Sequence, residues 1–266
     1  MLTSRHQLAL TVKRIVYGRR GEPYRVAGRT LRYVPGSRPV RLSYANAANL
    51  ISRYDALQVK LFSTQLAEGD TAVDVGAHGG QYTLVMAAMC GQTGRVVSFE
   101  PDPYARKLLQ RNLALNPLVK PPIVEACAVS DRSGYSTLYT RYGNSQSSLA
   151  RSAVEPSGSY TSEEIRVPTV SLDEYLLAVR LPEPRWVKID TEGAEVLVLR
   201  GARHLLSSGA GIVCELHPYA WPELGSTVLE LKTIVAASGR TIRYLDQSGE
   251  MGDRAEYGTV VLERRR

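Results

Sequence analysis

Cysteine, phenylalanine and long apolar runs are all scarce in this 266-residue chain. Only three cysteines occur, Cys90, Cys127 and Cys214, odd in number and without metal-ligand spacing. They exclude a disulfide framework and a cysteine-based zinc site, and point to buried thiols in a reducing compartment. A cytoplasmic location is the resulting expectation. No apolar run approaches the ~20 residues of a membrane span, and the stretch from Leu8 to Val12 is too short for a secretory signal. Two Phe stand against fifteen Tyr. No basic segment interleaves aromatics into a stacking platform, so nucleic acid is not an expected partner. With 44% hydrophobic residues the chain can bury one sizeable core.

Acids are nearly missing from one end. Residues 1 to 53 hold eleven Lys or Arg and one acid, Glu22, while the remainder carries a net charge of −3. The basicity therefore belongs to the amino-terminal segment. It is either a solvated face or one that meets something anionic, such as a phospholipid surface, a lipid-linked phosphate or an activated sugar. Residues 2 to 20 read as a short basic amphipathic helix with Leu8, Val12, Ile15 and Val16 on one side, which would give peripheral membrane contact.

What is present begins at residue 71. Thr71 to Gly80 is a buried strand running into a glycine turn, and a second strand from Gly94 to Phe99 ends on Glu100. A strand, glycine loop, helix, strand and acid in this order hold a nucleoside in a doubly wound sheet. The dinucleotide fingerprint needs a third-position glycine, and His78 stands there. Asp74 would repel a pyrophosphate but suits a ligand carrying an ammonium and a sulfonium, S-adenosylmethionine. Gly76, Ala77, His78 and Gly79 then form the loop, and Glu100, followed by Pro101, accepts from the ribose hydroxyls. His78 is expected to contribute backbone only.

Other elements follow from periodicity. Tyr24 to Val34 and Val40 to Tyr44 read as strands, and Ala47 to Leu66 as a helix. Beyond the loop come a helix from Gln81 to Met89, another from Pro103 to Asn116, and a strand from Ile123 to Val129. Residues 134 to 170 read as hairpins and a mobile loop. A Ser-x-x-Glu box opens a helix at Ser171. Trp186 to Ile189 and Gly211 to Leu216 are strands flanking a helix from Gly193 to Leu206, and Ser226 to Ser238 is a further helix. Thr241 to Leu245 and Thr259 to Glu263 form a terminal antiparallel hairpin. The expected architecture is an α/β, mostly parallel Rossmann-like sheet ending in that hairpin.

Polar groups converge at the strand ends. Ala128, Val129 and Asp131 flank the adenine, while Asp190, Glu192, Glu215 and His217 fall near the methyl group and acceptor. Glu195 reads as a helix-dipole partner. Glu215, alternating with Leu216, is expected to face away from the cavity that His217 faces. His217 or Asp190 is the candidate base; metal-free catalysis is favoured, with His217 as base, Asp190 orienting it or the bound donor, and Glu192 beside them. The alternative is Mg²⁺ held by Asp190 and Glu215, although that ion prefers all-oxygen ligands.

Several ordered segments together resemble the FkbM family of methyltransferases: Asp74-Val-Gly-Ala-His-Gly-Gly, Phe99-Glu-Pro-Asp-Pro, Gly143-Asn-Ser-Gln-Ser-Ser-Leu, Val170-Ser-Leu-Asp-Glu and Lys188-Ile-Asp-Thr-Glu-Gly-Ala-Glu. The resemblance runs from about residue 47 to 235. It implies a class I methyltransferase fold and S-adenosylmethionine-dependent O-methylation of a sugar, glycolipid, polyketide or related hydroxyl compound. His78 replaces the asparagine common at that loop position. Residues 1–46 form a basic extension and 47–266 the methyltransferase domain. Asn144, Ser147 and Ser148 lie in a segment expected to fold over the site and bond donor or acceptor. The acceptor is a small molecule or glycan, with an anionic one in view because of the basic segment. Two rival classes remain, a dinucleotide-dependent oxidoreductase and a catalytically inactive S-adenosylmethionine-binding protein.

Overall fold

The computed structural model describes residues 4–39, 50–117, 119–141, 147–155, 161–246 and 249–265. After a basic helix, α1 (Ser4–Tyr17), comes a hairpin of β1 (Glu22–Val26) and β2 (Arg29–Tyr33). One strand was expected over this stretch. Ala27 and Gly28 break it with left-handed backbone, so that Val26 pairs with Arg29. The expected strand from Val40 to Tyr44 lies outside the described residues.

Helix α2 (Leu50–Gln65) leads to β3 (Thr71–Val75), α3 (Gln81–Cys90), β4 (Arg95–Phe99), α4 (Pro103–Ala114) and β5 (Ile123–Glu125). A small side sheet follows, of β6 (Ala128–Val129), β7 (Gly134–Thr140) and β8 (Glu163–Val170), with the turn α5 (Arg151–Val154) between the last two. The chain returns through α6 (Leu172–Ala178), β9 (Trp186–Ile189), α7 (Glu195–Arg200), α8 (Arg203–Ser207) and β10 (Gly211–Leu216). It closes with α9 (Val228–Ala237), β11 (Arg240–Tyr244) and β12 (Gly258–Arg264). Local signals set these boundaries. Asp102 caps α4 by accepting from Tyr104 N, with Pro103 in the first turn, and Ser171 caps α6 by accepting from Glu174 N.

The main sheet has seven strands in the order β11-β12-β10-β9-β3-β4-β5. Neighbours from β10 to β5 are parallel, while β12 runs antiparallel to both β10 and β11. The chain leaves β3 toward β4 and β5, then returns to β9 on the other side of β3. That reversal opens a crevice at the carboxyl ends of the strands, where open α/β sheets bind ligands.

Two expected elements are divided. The stretch from Ile123 to Val129 pairs first with β4 and then, as β6, with β8. The helix from Gly193 to Leu206 breaks at Gly201, where an added Cβ would come within 2.4 Å of Ser130 O. The loop after β6 packs against the chain at that point.

Both faces of the sheet are covered, so its strands are almost wholly apolar. Along β10, Ile212, Cys214 and Leu216 enter one core and Val213 the other. The hairpin belongs to the second core: Tyr24, Leu31 and Tyr33 pack there with Phe62 and Tyr82. Residues 22–33 are thus integral to the body rather than an appendage. All three cysteines are free and buried. At the sheet end remote from the crevice, the buried Arg240 donates to the carbonyls of Leu206, Ser208, Ala210 and Leu262. No helix among the described residues is long and apolar enough to cross a membrane.

Candidate active site

The crevice widens into a cavity of about 410 Å³. One wall comes from β3, β4 and β6: Gly76, Ala77 and His78 from the loop, then Glu100, Pro101, Ala128 and Val129. Gly76 has a φ of 79°, and a Cβ there would lie 1.7 Å from Asp190 O. Only glycine permits this approach of the two turns. Glu100 is 5% exposed and accepts from His78 N at 2.6 Å and Asp102 N at 2.8 Å. Burial pushes its carboxyl up to about 7, against those two hydrogen bonds. Phe99, Cys127 and Leu138 complete an apolar slot beside it.

Three expected cofactor residues do not reach the cavity. Gly79 packs beneath Leu108, and its carbonyl accepts from Asn112. Asp131 turns to Ser130 Oγ, 3.2 Å away. Asp74 is fully buried under the floor, accepting from Thr83 Oγ1 at 2.6 Å, with Lys188 Nζ 4.0 Å from its other oxygen. Asp74 shares the face of β3 that carries Ala72, the side on which Thr83 of α3 meets it.

Lys188 is the hub of that floor. Its ammonium lies 2.9 Å from Asp190 Oδ2 and 4.7 Å from the centre of the Tyr82 ring. Burial works to raise Asp190, but the charges of Lys188 and His217 more than offset it and hold the carboxyl below its ordinary range. Tyr82 donates in turn to Asp55, another cavity residue.

The opposite wall holds His217, 2% exposed, between two glutamates. Its Nδ1 lies 3.1 Å from Glu195 Oε1 and its Nε2 3.3 Å from Glu192 Oε2. Glu195 is fully buried and also accepts from Gly193 N at 2.7 Å and Trp221 Nε1 at 2.8 Å. It does far more than favour a helix dipole. Burial disfavours the imidazolium, yet the hydrogen bond and charge of Glu195, with Glu192 and Asp190 behind, push His217 up to about 10. These carboxylates favour the imidazolium of His217, which argues against its service as a free base. Burial raises Glu192 to about 7 despite that cation. Glu192 also has a left-handed φ of 52°, and Ser148 Oγ donates to its carbonyl at 2.6 Å. Strain of this kind in a non-glycine residue is kept only where its surroundings enforce it.

Glu215 faces the cavity with His217, because residues two apart share a side of a strand. Tyr257, the residue before β12, donates to it at 2.6 Å. Burial and the charge of Asp190 raise its carboxyl to about 7. Ser147 lines the cavity but donates to Asp102, so both expected serine hydroxyls serve the protein itself. Asn144 lies outside the described residues. Sequence reasoning passed over Lys188, Tyr82, Tyr219, Tyr257 and the role of Glu195. Only Glu195 left a signal, an acid at the head of the apolar run Val196 to Leu199.

Among the described residues, Asp190, Glu192 and His217 are the group whose ligand atoms lie within 4.8 Å of one another. Glu215 is not of that group. Lys188 and the imidazolium already neutralise part of this cluster, which weakens the case for a divalent ion there. S-adenosylmethionine fits the residues present: an apolar slot, a carboxylate beside it, a glycine turn and a surplus of acid for a cationic ligand. A pyrophosphate does not, because the cavity's cations, Lys188 and His217, are already paired with carboxylates.

The family profile described as Methyltransferase FkbM domain matches residues 74–247. Hexuronic acid methyltransferase AglP of Haloferax volcanii is 28% identical over 166 residues, 60% of this chain and 61% of that protein. Methyltransferase sdnD of Sordaria araneosa is 31% identical over 155 residues, covering 48% of this chain and 59% of that one. The chain spans about three fifths of the length of these curated relatives. The crystal structure of Methyltransferase FkbM from Methylobacillus flagellatus KT is a looser likeness, with a TM-score of 0.47 at 14% identity, covering 80% of this chain and 52% of that one.

Proposed function

This chain belongs to the FkbM methyltransferase family, and on that premise we propose that it is an O-methyltransferase using S-adenosylmethionine on a hydroxyl-rich, uncharged acceptor such as a sugar. One observation carries the reading: His217 is clamped between Glu195 and Glu192 at the end of the cavity away from Glu100. The catalytic unit runs over residues 47–266, with 1–46 as an extension whose hairpin shares its core.

Glu100 and the loop from Gly76 to His78 would hold the ribose and amino-acid parts of the donor, with Phe99, Cys127 and Val129 against the adenine. S-adenosylmethionine supplies a methyl on a sulfonium, which leaves as a neutral thioether on in-line attack. An alkyl hydroxyl is a weak nucleophile and needs a base in that step. Glu192 takes the proton: the acceptor's O–H bond breaks toward its carboxylate as the oxygen–methyl bond forms. Protonated His217 donates from Nε2 to Glu192 and keeps part of it ionised near neutrality. Glu195 fixes the ring, and Lys188 fixes Asp190.

AglP is named for a hexuronic acid, which is an anion at neutral pH. Here Asp55, Glu100, Asp190, Glu192 and Glu215 all face the cavity. Such a lining repels a carboxylate, so the anionic acceptor suggested by the basic segment is set aside in favour of a neutral one. Calorimetry with S-adenosylmethionine, then S-adenosylhomocysteine release with a hexose and its matching hexuronate, tests the reading. Cofactor binding and a kcat/KM at least about tenfold higher for the hexose are expected. Failure to bind S-adenosylmethionine, or binding of NAD in its place, would sink the assignment.

A further inference from the structure

Helix α1 wears its two sides the wrong way round. A surface helix ordinarily turns its apolar stripe toward the core. The inward side of α1 is instead Leu10, Lys13 and Tyr17, all half-buried. Lys13 Nζ lies 3.0 Å from Glu22 Oε1, and Leu10 packs over Gly36, where an added Cβ would come within 2.5 Å of Cδ2. The apolar stripe is on the opposite side: Leu8, Val12, Ile15 and Val16 are 67%, 49%, 77% and 63% exposed. At ~100° per residue these four share about a third of the circumference.

Cations gather at the carboxyl end of this stripe. Arg14, Arg19 and Arg20 are exposed, and Arg32 Nη1 donates to Arg20 O at 3.2 Å, bringing another guanidinium to the carboxyl end of the helix. The single acid of residues 1–53, Glu22, is 3% exposed and already paired with Lys13 and Arg38. An exposed apolar stripe edged with arginine and free of competing acid is the signature of a helix lying in a lipid interface.

We propose that α1 docks this protein on an anionic phospholipid surface, with Leu8, Val12, Ile15 and Val16 entering the acyl boundary and the arginines meeting headgroup phosphates. Charge selects this occupant over a second copy of the chain. Two α1 faces brought together would oppose their arginines, with no acid on either stripe to pair them. The hairpin carries the docked position to the cavity: Tyr33 OH donates to Gln81 O at 3.0 Å, and Asn112 joins Val34 N to Gly79 O.

Flotation of the full chain with vesicles tests the proposal, comparing phosphatidylcholine alone with phosphatidylcholine containing about one third phosphatidylglycerol. Binding to the anionic vesicles at low salt should exceed that to neutral ones by about tenfold or more, and raised salt should weaken it. The double variants Val12→Asp/Ile15→Asp and Arg19→Glu/Arg20→Glu should each lose about tenfold or more in binding. These side chains point away from the body, so melting temperature and cofactor affinity should not change. Absent binding, equal binding to both vesicle types, or variants that bind like the parent would each overturn it. A concentration-dependent dimer that Val12→Asp/Ile15→Asp abolishes, without vesicle binding, would give the stripe to a second copy instead.

Discussion

Glu195 Oε1 lies 3.1 Å from His217 Nδ1, and both side chains are shut away from solvent. Each carries a charge that burial alone would suppress, and each keeps it because of the other. Replacing Glu195 with Gln preserves shape and removes the negative charge. His217 should then titrate well below about 10, moving toward the ordinary ~6.5 of an imidazole. NMR titration of the ring measures this. An unmoved transition would assign the proton's retention to Glu192 and Asp190.

The same pair fixes a slope in stability. The folded pKa of His217 lies above the unfolded value, so its contribution is complete below ~6.5 and is lost as pH rises through about 10. Glu192 and Glu215 act in the same direction lower down, since both are raised to about 7 and must ionise inside the fold. Asp190 and Glu195 are depressed, and their contribution is lost as pH falls below ~4.5. The melting temperature should therefore peak in mildly acid solution and decline steadily to pH 10. A plateau from 7 to 10 would contradict the charged His217.

Glu192→Gln should separate activity from stability. Turnover should fall about a hundredfold or more while cofactor affinity persists, because the proposed proton acceptor is gone. The melting temperature above pH 7 should rise, since a buried group no longer has to ionise. In the parent enzyme, turnover should climb with pH through about 7, where Glu192 becomes a carboxylate.

Glu100 and Asp74 should respond differently. Glu100→Ala removes a cavity carboxylate, and cofactor affinity should fall about ten- to a hundredfold, as for a lost charge-assisted hydrogen bond. Asp74→Asn leaves Lys188 with one carboxylate fewer beneath the floor. Burial raises the Asp74 carboxyl, and Lys188 keeps Asp190 at 2.9 Å, so denaturant unfolding near neutral pH should show Asp74→Asn no less stable than the parent. A purely cofactor-specific defect in Asp74→Asn would return Asp74 to the ligand.

The sheet was readable in the residues because its strands are apolar on both faces and end on acids or glycine. Breaks inside elements were less readable. Nothing local in Ile123 to Val129 tells that its second half pairs with β8, since that contact joins residues about forty apart. The site divided along the same line. Glu100, His78, Asp190 and His217 sit at strand ends that sequence order alone positions. The charge of Asp74 suggests a ligand, and nothing local in the sequence shows that Thr83 and Lys188 stand beside it. Tyr257 follows a turn-rich stretch with no periodicity, and only the insertion of β12 beside β10 delivers it to Glu215.

Arg240 bears on how the sheet comes apart. Its guanidinium draws on carbonyls from α8, from the chain after it and from β12, so peeling the last hairpin would strand one buried cation and the three acceptors of Leu206, Ser208 and Ala210 at once. Such a hairpin should not fray as an edge ordinarily does. Amides of β11 and β12 are expected to exchange with solvent as slowly as those of β10, in one opening event shared with the core. The edge of the sheet, which topology marks as its weakest margin, would then be among the last parts to yield.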